Sequence, residues 1–239
     1  LGLPIMTMEF AVGRASQKSP VKAYYALEKP GQKWHIHGYI TLIGCYLLMM
    51  FYTTVAGWML HYFYLTATGK FTGLDSETVS EQFNTMLSQP LVMGFWMVVV
   101  VIAGILVCSI GLQNGLEKVT KYMMCALLVL MVVLAVNSLL LKGAGEGMSF
   151  YLKPDFSKID GSVIVAAMNQ AFLTLSTGMG GMAIFGSYIG KDHSLMGEAV
   201  NIISLDTLVA ILAGVIIFPA CFTYGVEVNS GPSLLFDTM

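Results

Sequence analysis

Long apolar segments alternate with short polar joints along the whole chain. Spans of about twenty apolar residues match the thickness of a lipid bilayer, so each such segment predicts a transmembrane helix. The pattern predicts helices over residues 38–68, 91–110, 122–141 and 199–225, a longer span over residues 161–190, and the tail of another helix over residues 1–12. It therefore predicts an all-α, polytopic protein that crosses the cell membrane several times.

Composition agrees with the membrane assignment. The chain has 239 residues, of which 56% are hydrophobic and 11% are charged, whereas soluble domains carry about 25% charged residues. The net charge of −2 gives no indication of a nucleic-acid partner. Four cysteines lie in apolar segments without a metal-binding spacing, and we expect them to be buried thiols: Cys45, Cys108, Cys125 and Cys221.

The distribution of lysine and arginine predicts the orientation in the membrane. If residues 13–33 face the cytoplasm, the inside joints carry most of the basic side chains, namely Arg14, Lys18, Lys22, Lys29, Lys33, Lys118, Lys121 and Lys191. Cytoplasmic loops of membrane proteins are enriched in lysine and arginine. We therefore expect residues 13–33 to lie on the cytoplasmic side.

The span over residues 161–190 differs from the others at its centre. It contains no charged residue, yet three glycines and three hydroxyl residues crowd the stretch FLTLSTGMGG at residues 172–181. A broken helix would expose amides and carbonyls that can bind a substrate and a cation, provided that protein or a cavity satisfies them. A continuous helix with a small-residue packing face is the alternative.

Two acids, Glu9 and Asp206, lie well inside the apolar spans. A carboxylate at the centre of a bilayer costs about 3 kcal/mol on insertion scales, so it requires a partner or an aqueous cavity. Each of the two is either a protonated or hydrogen-bonded structural acid or a cation ligand. Their spacing alone does not distinguish these two roles.

Four segments are distinctive: GLPIMTMEFAVGR at residues 2–14, GLEKVTKYMM at 115–124, EGMSFYLKPDFSKI at 146–159 and NQAFLTLSTGMGG at 169–181. Together they resemble the neurotransmitter:sodium symporters, a family of LeuT-fold transporters. The resemblance runs along essentially the whole chain and implies a partial LeuT-fold helix bundle with one helix broken at mid-membrane. It also implies that residues 1–239 are a fragment of one transmembrane domain, with the family's second to seventh helices but neither its first helix nor those after the seventh.

The same resemblance implies a substrate site. Six positions correspond to the family's amino-acid pocket: Leu48, Tyr52, Leu173, Thr174, Ser176 and Met179. Tyr52 would contact the substrate carboxylate, and Leu48 would face the substrate side chain. Thr174 would also offer its hydroxyl to a sodium ion. Glu9 would support the broken helix by accepting hydrogen bonds from its freed amides.

Two departures from the family pattern bear on the ions. Chloride-dependent members have a serine four residues before a glycine of the seventh helix, where this chain has Ala210 before Gly214. Eight residues before that glycine, where many members have an asparagine, it has Asp206. By resemblance, Asp206 would bind sodium and supply the negative charge that chloride provides elsewhere. Gln170 matches a glutamine of the family's anion and gating region.

The resemblance therefore implies sodium-coupled, chloride-independent symport of a hydrophobic amino acid, with large aromatic ones among the candidates. Its partners would be the amino acid, sodium ions and the bilayer, and Na⁺ would be its cofactor. Two alternatives stay open. One is a proton-coupled or exchange-type transporter of the same fold, with Asp206 as the proton carrier. The other is a non-transporting amino-acid sensor. The sequence shows no catalytic constellation, so we do not expect an enzyme.

Overall fold

The computed structural model describes residues 2–70, 82, 85–111, 116–225 and 228, and these ranges contain helices and connecting loops but no strand. Gly115, the first residue of one family motif, lies outside them. The helices named here are α1 (Gly2–Ser16), α2 (Pro20–Leu27), α3 (His35–Ala67), α4 (Pro90–Ser109), α5 (Lys118–Leu139), α6 (Ala144–Leu152), α7 (Gly161–Thr174), α8 (Gly181–Gly186) and α9 (Leu195–Tyr224). A short 3-10 turn, Phe156–Lys158, precedes α7. The predicted all-α class is confirmed.

Helices α3, α4, α5 and α9 are each long and apolar enough to cross a membrane. They correspond to the predicted spans 38–68, 91–110, 122–141 and 199–225, and their ends differ from the predicted ones by a few residues. The predicted span over residues 161–190 instead contains two shorter helices, α7 and α8, which follow each other with a gap. This arrangement confirms the predicted broken helix.

The chain divides into two compact units. The first comprises Leu1–Met49 and Asp155–Val209, and the second comprises Met50–Pro154 and Ala210–Met239. Helices α3 and α9 therefore each contribute residues to both units. The single transmembrane domain over residues 1–239 stays a prediction.

In the first unit, α1 packs closely on α8. Phe10 and Met6 of α1 are buried in a core with Leu175, Leu195 and Ala199. The contact is close because each helix presents a glycine to the backbone of the other. A Cβ on Gly186 would lie 2.7 Å from the Phe10 Cα, and one on Gly13 would lie 2.9 Å from the Ser187 nitrogen. Small residues allow membrane helices to approach in this way.

The loop between α2 and α3 is closed by Glu28 and His35. The His35 Nδ1 lies 2.9 Å from Glu28 Oε1, and the His35 backbone N–H donates to Glu28 Oε2 at 3.0 Å. Tyr25 stacks on the His35 ring with 4.5 Å between the ring centroids. These contacts fix the entry of the chain into the long helix α3.

In the second unit, glycines also bring backbones together. A Cβ on Gly147 of α6 would lie 2.7 Å from the Pro219 Cα of α9, and the Gly143 N–H just before α6 donates to Thr223 Oγ1 at 3.1 Å. The Ser138 hydroxyl of α5 donates to the Ile216 carbonyl at 3.1 Å. Helices α5, α6 and α9 are thus joined by polar contacts within an apolar unit.

The expectation of buried thiols is correct for one cysteine and wrong for two. Cys221 is buried and Cys45 is half-buried, but Cys108 and Cys125 are exposed. Helix α4, which carries Cys108, has no buried residue. On a membrane helix, an apolar sequence is compatible with a face toward lipid as well as with a face toward protein, so hydrophobicity did not predict burial.

Candidate functional site

The break between α7 and α8 has an irregular backbone. Helix α7 ends at Thr174 and α8 begins at Gly181. Between them the backbone is left-handed at Ser176 (φ 49°), Gly178 (φ 84°) and Gly180 (φ 72°). Glycine adopts such angles readily, whereas a serine in this region is uncommon. The cluster of small residues in the sequence therefore marks a true interruption and not a continuous packing face.

The end of α7 satisfies its own backbone through a Schellman-type pair of hydrogen bonds. The Ser176 N–H donates to the Leu173 carbonyl at 3.1 Å, and the Thr177 N–H donates to the Phe172 carbonyl at 3.1 Å. The Thr174 hydroxyl donates to the Gln170 carbonyl at 2.5 Å. A hydroxyl that donates to the backbone keeps oxygen lone pairs for a cation or a substrate amine. Thr174 is exposed, so these lone pairs are accessible.

Glu9 of α1 lies beside the break. Its side chain is only 9% exposed, and its Oε1 accepts a hydrogen bond from the Gly178 N–H. Among the described residues, Oε2 is buried and has no hydrogen-bond partner. The structure therefore brings together a carboxylate and an amide that the interrupted helix leaves free, as the resemblance implied. The supporting role of Glu9 stays a prediction.

Asp206 lies near the middle of α9 and is half-buried. Within the part of the chain that the structure describes, its carboxylate makes no hydrogen bond or ion pair. Ala210 and Gly214 follow on the same face of α9, because residues four apart are neighbours on a helix. An unpaired carboxylate in a membrane helix requires a cation or a polar cavity.

The other predicted pocket residues differ in how exposed their side chains are. Leu48, Ser176 and Met179 are half-buried, Gln170 is exposed, and the Leu173 side chain is 44% exposed. Tyr52 belongs to the second unit, where its ring lies against that of Phe51 with 5.8 Å between the centroids. The roles of all these residues stay predictions.

A cavity of about 420 Å³ lies against the break within the first unit. Its walls come from α2, the first half of α3 and both sides of the α8 start, and are lined by Ser19, Pro20, Val21, Lys22, Tyr39, Thr41, Leu42, Cys45, Met179 and Ile184. The Cys45 thiol donates to the Met179 carbonyl at 3.0 Å. Sequence reasoning missed Thr41 and Cys45, although they share a helical face with Leu48 and Tyr52 through spacings of three and four residues.

Comparison with known proteins shows which family the chain belongs to. Residues 81–229 match the model of the sodium:neurotransmitter symporter family. The chain belongs to this family. As a member, it is a multi-pass membrane protein, and its relatives are sodium-coupled transporters, not enzymes.

Two relatives and a solved structure match along nine-tenths or more of the chain. An uncharacterised sodium-dependent transporter of Bacillus subtilis, YhdH, is 35% identical over 100% of this chain and 53% of its own length. A sodium-dependent serotonin transporter of Drosophila melanogaster is 26% identical over 91% of this chain and 40% of its own. The crystal structure of MhsT in complex with L-phenylalanine matches with a TM-score of 0.92 and 39% identity, over 99% of this chain and 54% of that one. The chain thus spans about half the length of its bacterial relatives.

Proposed function

We propose that the full-length protein is a sodium-coupled symporter of a hydrophobic amino acid. The observation that carries the proposal is the interrupted helix α7–α8, in a chain that belongs to the sodium:neurotransmitter symporter family. The C-terminal end of α7 is a region of negative potential suited to a cation or an amino group. The N-terminal end of α8 is a region of positive potential suited to a carboxylate.

For sodium we propose Thr174 and Asp206 as ligands from this chain. Thr174 is accessible and keeps its oxygen lone pairs, and Asp206 is a half-buried carboxylate without a partner in the described residues. Hard cations prefer oxygen ligands, and a sodium ion would offset the cost of an acid in the membrane. Because Asp206 supplies a negative charge and Ala210 has no hydroxyl to hold an anion, we propose that transport does not require chloride.

For the substrate we propose an amino acid with a large apolar side chain. Leu48, Leu173 and Met179 are apolar, and methionine adapts its shape to its neighbours. MhsT, with a TM-score of 0.92 to this chain, was solved in complex with L-phenylalanine. Ser176 and Tyr52 would bind the polar atoms of the amino acid, and Gln170 would contribute to the gate. Stronger competition by glycine, alanine or a charged amino acid than by leucine, tyrosine and tryptophan would contradict this proposal.

Binding of sodium and substrate would be coupled at the break. Thr174 is proposed to contact both, so each ligand orders part of the site of the other. Linkage requires that sodium raise the affinity for the substrate by the same factor by which the substrate raises the affinity for sodium. The sodium gradient would then drive uptake as the bundle alternates between outward-facing and inward-facing states.

The first experiment measures uptake by the full-length protein in proteoliposomes. Labelled leucine and tryptophan are followed under an inward sodium gradient, with choline as the sodium replacement and gluconate as the chloride replacement. We expect uptake that requires sodium and does not require chloride. Uptake that is independent of sodium would favour proton coupling or exchange, and binding without accumulation would favour a sensor.

Asp206→Asn tests the proposed ligand directly. Removing the charge should lower sodium affinity by about ten- to a hundredfold in a chloride-free binding titration, since a charge-assisted contact contributes about 1.5–3 kcal/mol. Glu198→Gln on the same helix, where the acid is 37% exposed, is the matched control and should leave sodium affinity unchanged. An Asp206→Asn protein with wild-type sodium affinity would contradict the assignment.

A further inference from the structure

Two side chains of α3, one turn apart, lie against the break at residues next to the one that Glu9 contacts. The Cys45 thiol donates to the Met179 carbonyl at 3.0 Å. Thr41 is buried and donates its hydroxyl to the Gly38 carbonyl at 2.8 Å. Its Oγ1 would lie 3.3 Å from a Cβ on Gly180, so Thr41 forms a wall against that left-handed residue. The two α3 side chains thus contact consecutive residues of the break.

The Met179 carbonyl lies just outside the hydrogen-bonding pattern of α8. The first hydrogen bond of α8 runs from the Ile184 N–H to the Gly180 carbonyl at 3.2 Å, so the Met179 carbonyl precedes this helix. It is also flanked by the left-handed residues Gly178 and Gly180. A carbonyl at membrane depth that lacks a partner is strongly unfavourable, because neither lipid nor the helix satisfies it. The Cys45 thiol supplies that partner.

The break is therefore hydrogen-bonded to two helices, α1 and α3, at adjacent residues. Glu9 of α1 accepts from the Gly178 N–H, and Cys45 of α3 donates to the Met179 C=O. The direction of the Met179 side chain follows from the orientation of its own peptide groups. A donor at position 45 is thus placed to orient the Met179 peptide and, with it, the start of the Met179 side chain, which lines the same cavity as Cys45.

We propose that Cys45 is a positioning residue of the substrate site, which acts by orienting the Met179–Gly180 peptide through its thiol. This inference rests on the proposed function, because it concerns the geometry of the same site. It requires a hydrogen-bond donor of about this size at position 45 and does not require sulfur chemistry. Serine should therefore replace cysteine, and alanine should not.

The test compares Cys45→Ala, Cys45→Ser and the matched control Cys125→Ala in the full-length protein. Cys125 is exposed on α5 in the second unit, so its substitution removes a thiol far in sequence from the break. Binding of labelled leucine and tryptophan is measured at saturating sodium, together with the melting temperature. We expect about a three- to tenfold loss of affinity for Cys45→Ala, recovery to within about twofold of wild type for Cys45→Ser, and no change for the control.

A second readout does not depend on the substrate. Amide hydrogen exchange is followed by mass spectrometry in the peptide that covers residues 172–181, because exchange reports local opening. Exchange should be faster in Cys45→Ala than in wild type and should return to the wild-type rate in Cys45→Ser.

Two results would overturn the inference: wild-type affinity and exchange in Cys45→Ala, or equal impairment of Cys45→Ala and Cys45→Ser. If the wild-type protein binds no amino acid in sodium, the proposed function fails. In that case the exchange measurement still decides whether Cys45 positions the break.

Discussion

Replacing Gly186 by alanine tests how closely α1 and α8 must approach each other. A Cβ at this position would lie 2.5 Å from the Phe10 carbonyl oxygen and 2.7 Å from the Phe10 Cα. Ordinary van der Waals contact begins at 3.4 Å, so the new atom stands 0.9 Å (3.4 − 2.5) too close to the oxygen. Both Phe10 atoms belong to the backbone and cannot rotate away. The substitution therefore has to move one helix relative to the other.

The free energy of unfolding should fall as a result. Overpacking a well-packed contact costs about 1–3 kcal/mol. Alanine has a higher helix propensity than glycine by up to about 1 kcal/mol, but Gly186 is the last residue of α8 and realises only part of this gain. We expect a net loss of about 1–2 kcal/mol, which corresponds to a decrease in Tm of about 2–6 °C.

A thiol-reactive dye measures this loss in detergent. Cys221 is 1% exposed and reacts only as the protein unfolds. The exposed Cys108 and Cys125 and the half-buried Cys45 are first replaced by serine so that they give no background. Gly104→Ala in α4 is the control, because a Cβ there would have no atom within 4 Å apart from those of its own neighbours and the adjoining backbone of its helix. A Gly186→Ala protein that melts at or above the wild-type temperature would refute the close-contact argument.

Two further predictions concern acids outside the membrane spans. Partial desolvation raises the pKa of Glu28, but hydrogen bonds and charge from His35 outweigh it, so this pKa lies below its usual 4.5. The stabilisation is thus fully present above pH 4.5 and is lost as the pH falls through the lowered pKa. The Tm difference between wild type and Glu28→Gln should therefore be constant above pH 4.5 and shrink below it, and a difference that persists at low pH would contradict the pairing. Asp160 caps α7 by accepting from the Ser162 hydroxyl at 2.6 Å and the Val163 N–H at 2.9 Å. Asp160→Ala should therefore lower the Tm more than Asp160→Asn, which keeps an acceptor, and equal Tm values would argue against the cap.

The long helices could be predicted from the sequence because the length of an apolar segment is enough to indicate them. An apolar run of about twenty residues has few structural uses other than crossing a bilayer, and α3, α4, α5 and α9 follow this rule. The short helices α2 and α6 were not predicted. They lie in polar joints and have only 8 and 9 residues, which is too short for a clear periodic pattern.

The break could be predicted from the sequence, but only some of the residues that contact it could. Glycines and hydroxyl residues in an uncharged span are a local signal, and Glu9 stood out because acids are rare in membrane helices. Thr41 and Cys45 gave no such signal, since their helix is apolar on all sides. Which face of such a helix contacts the break depends on how α1, α3 and α8 pack, and a single sequence does not contain that information.

The left-handed Ser176 makes the joint between the two half-helices mechanically asymmetric. A serine in this conformation has a narrow range of allowed φ and ψ, and the hydrogen bonds of Ser176 and Thr177 tie it to the last turn of α7. Gly178 and Gly180 rotate far more easily. The joint is thus stiff toward α7 and compliant toward α8, so the angle between the two half-helices is held by the close packing of α8 on α1 and by the hydrogen bonds of the break to α1 and α3.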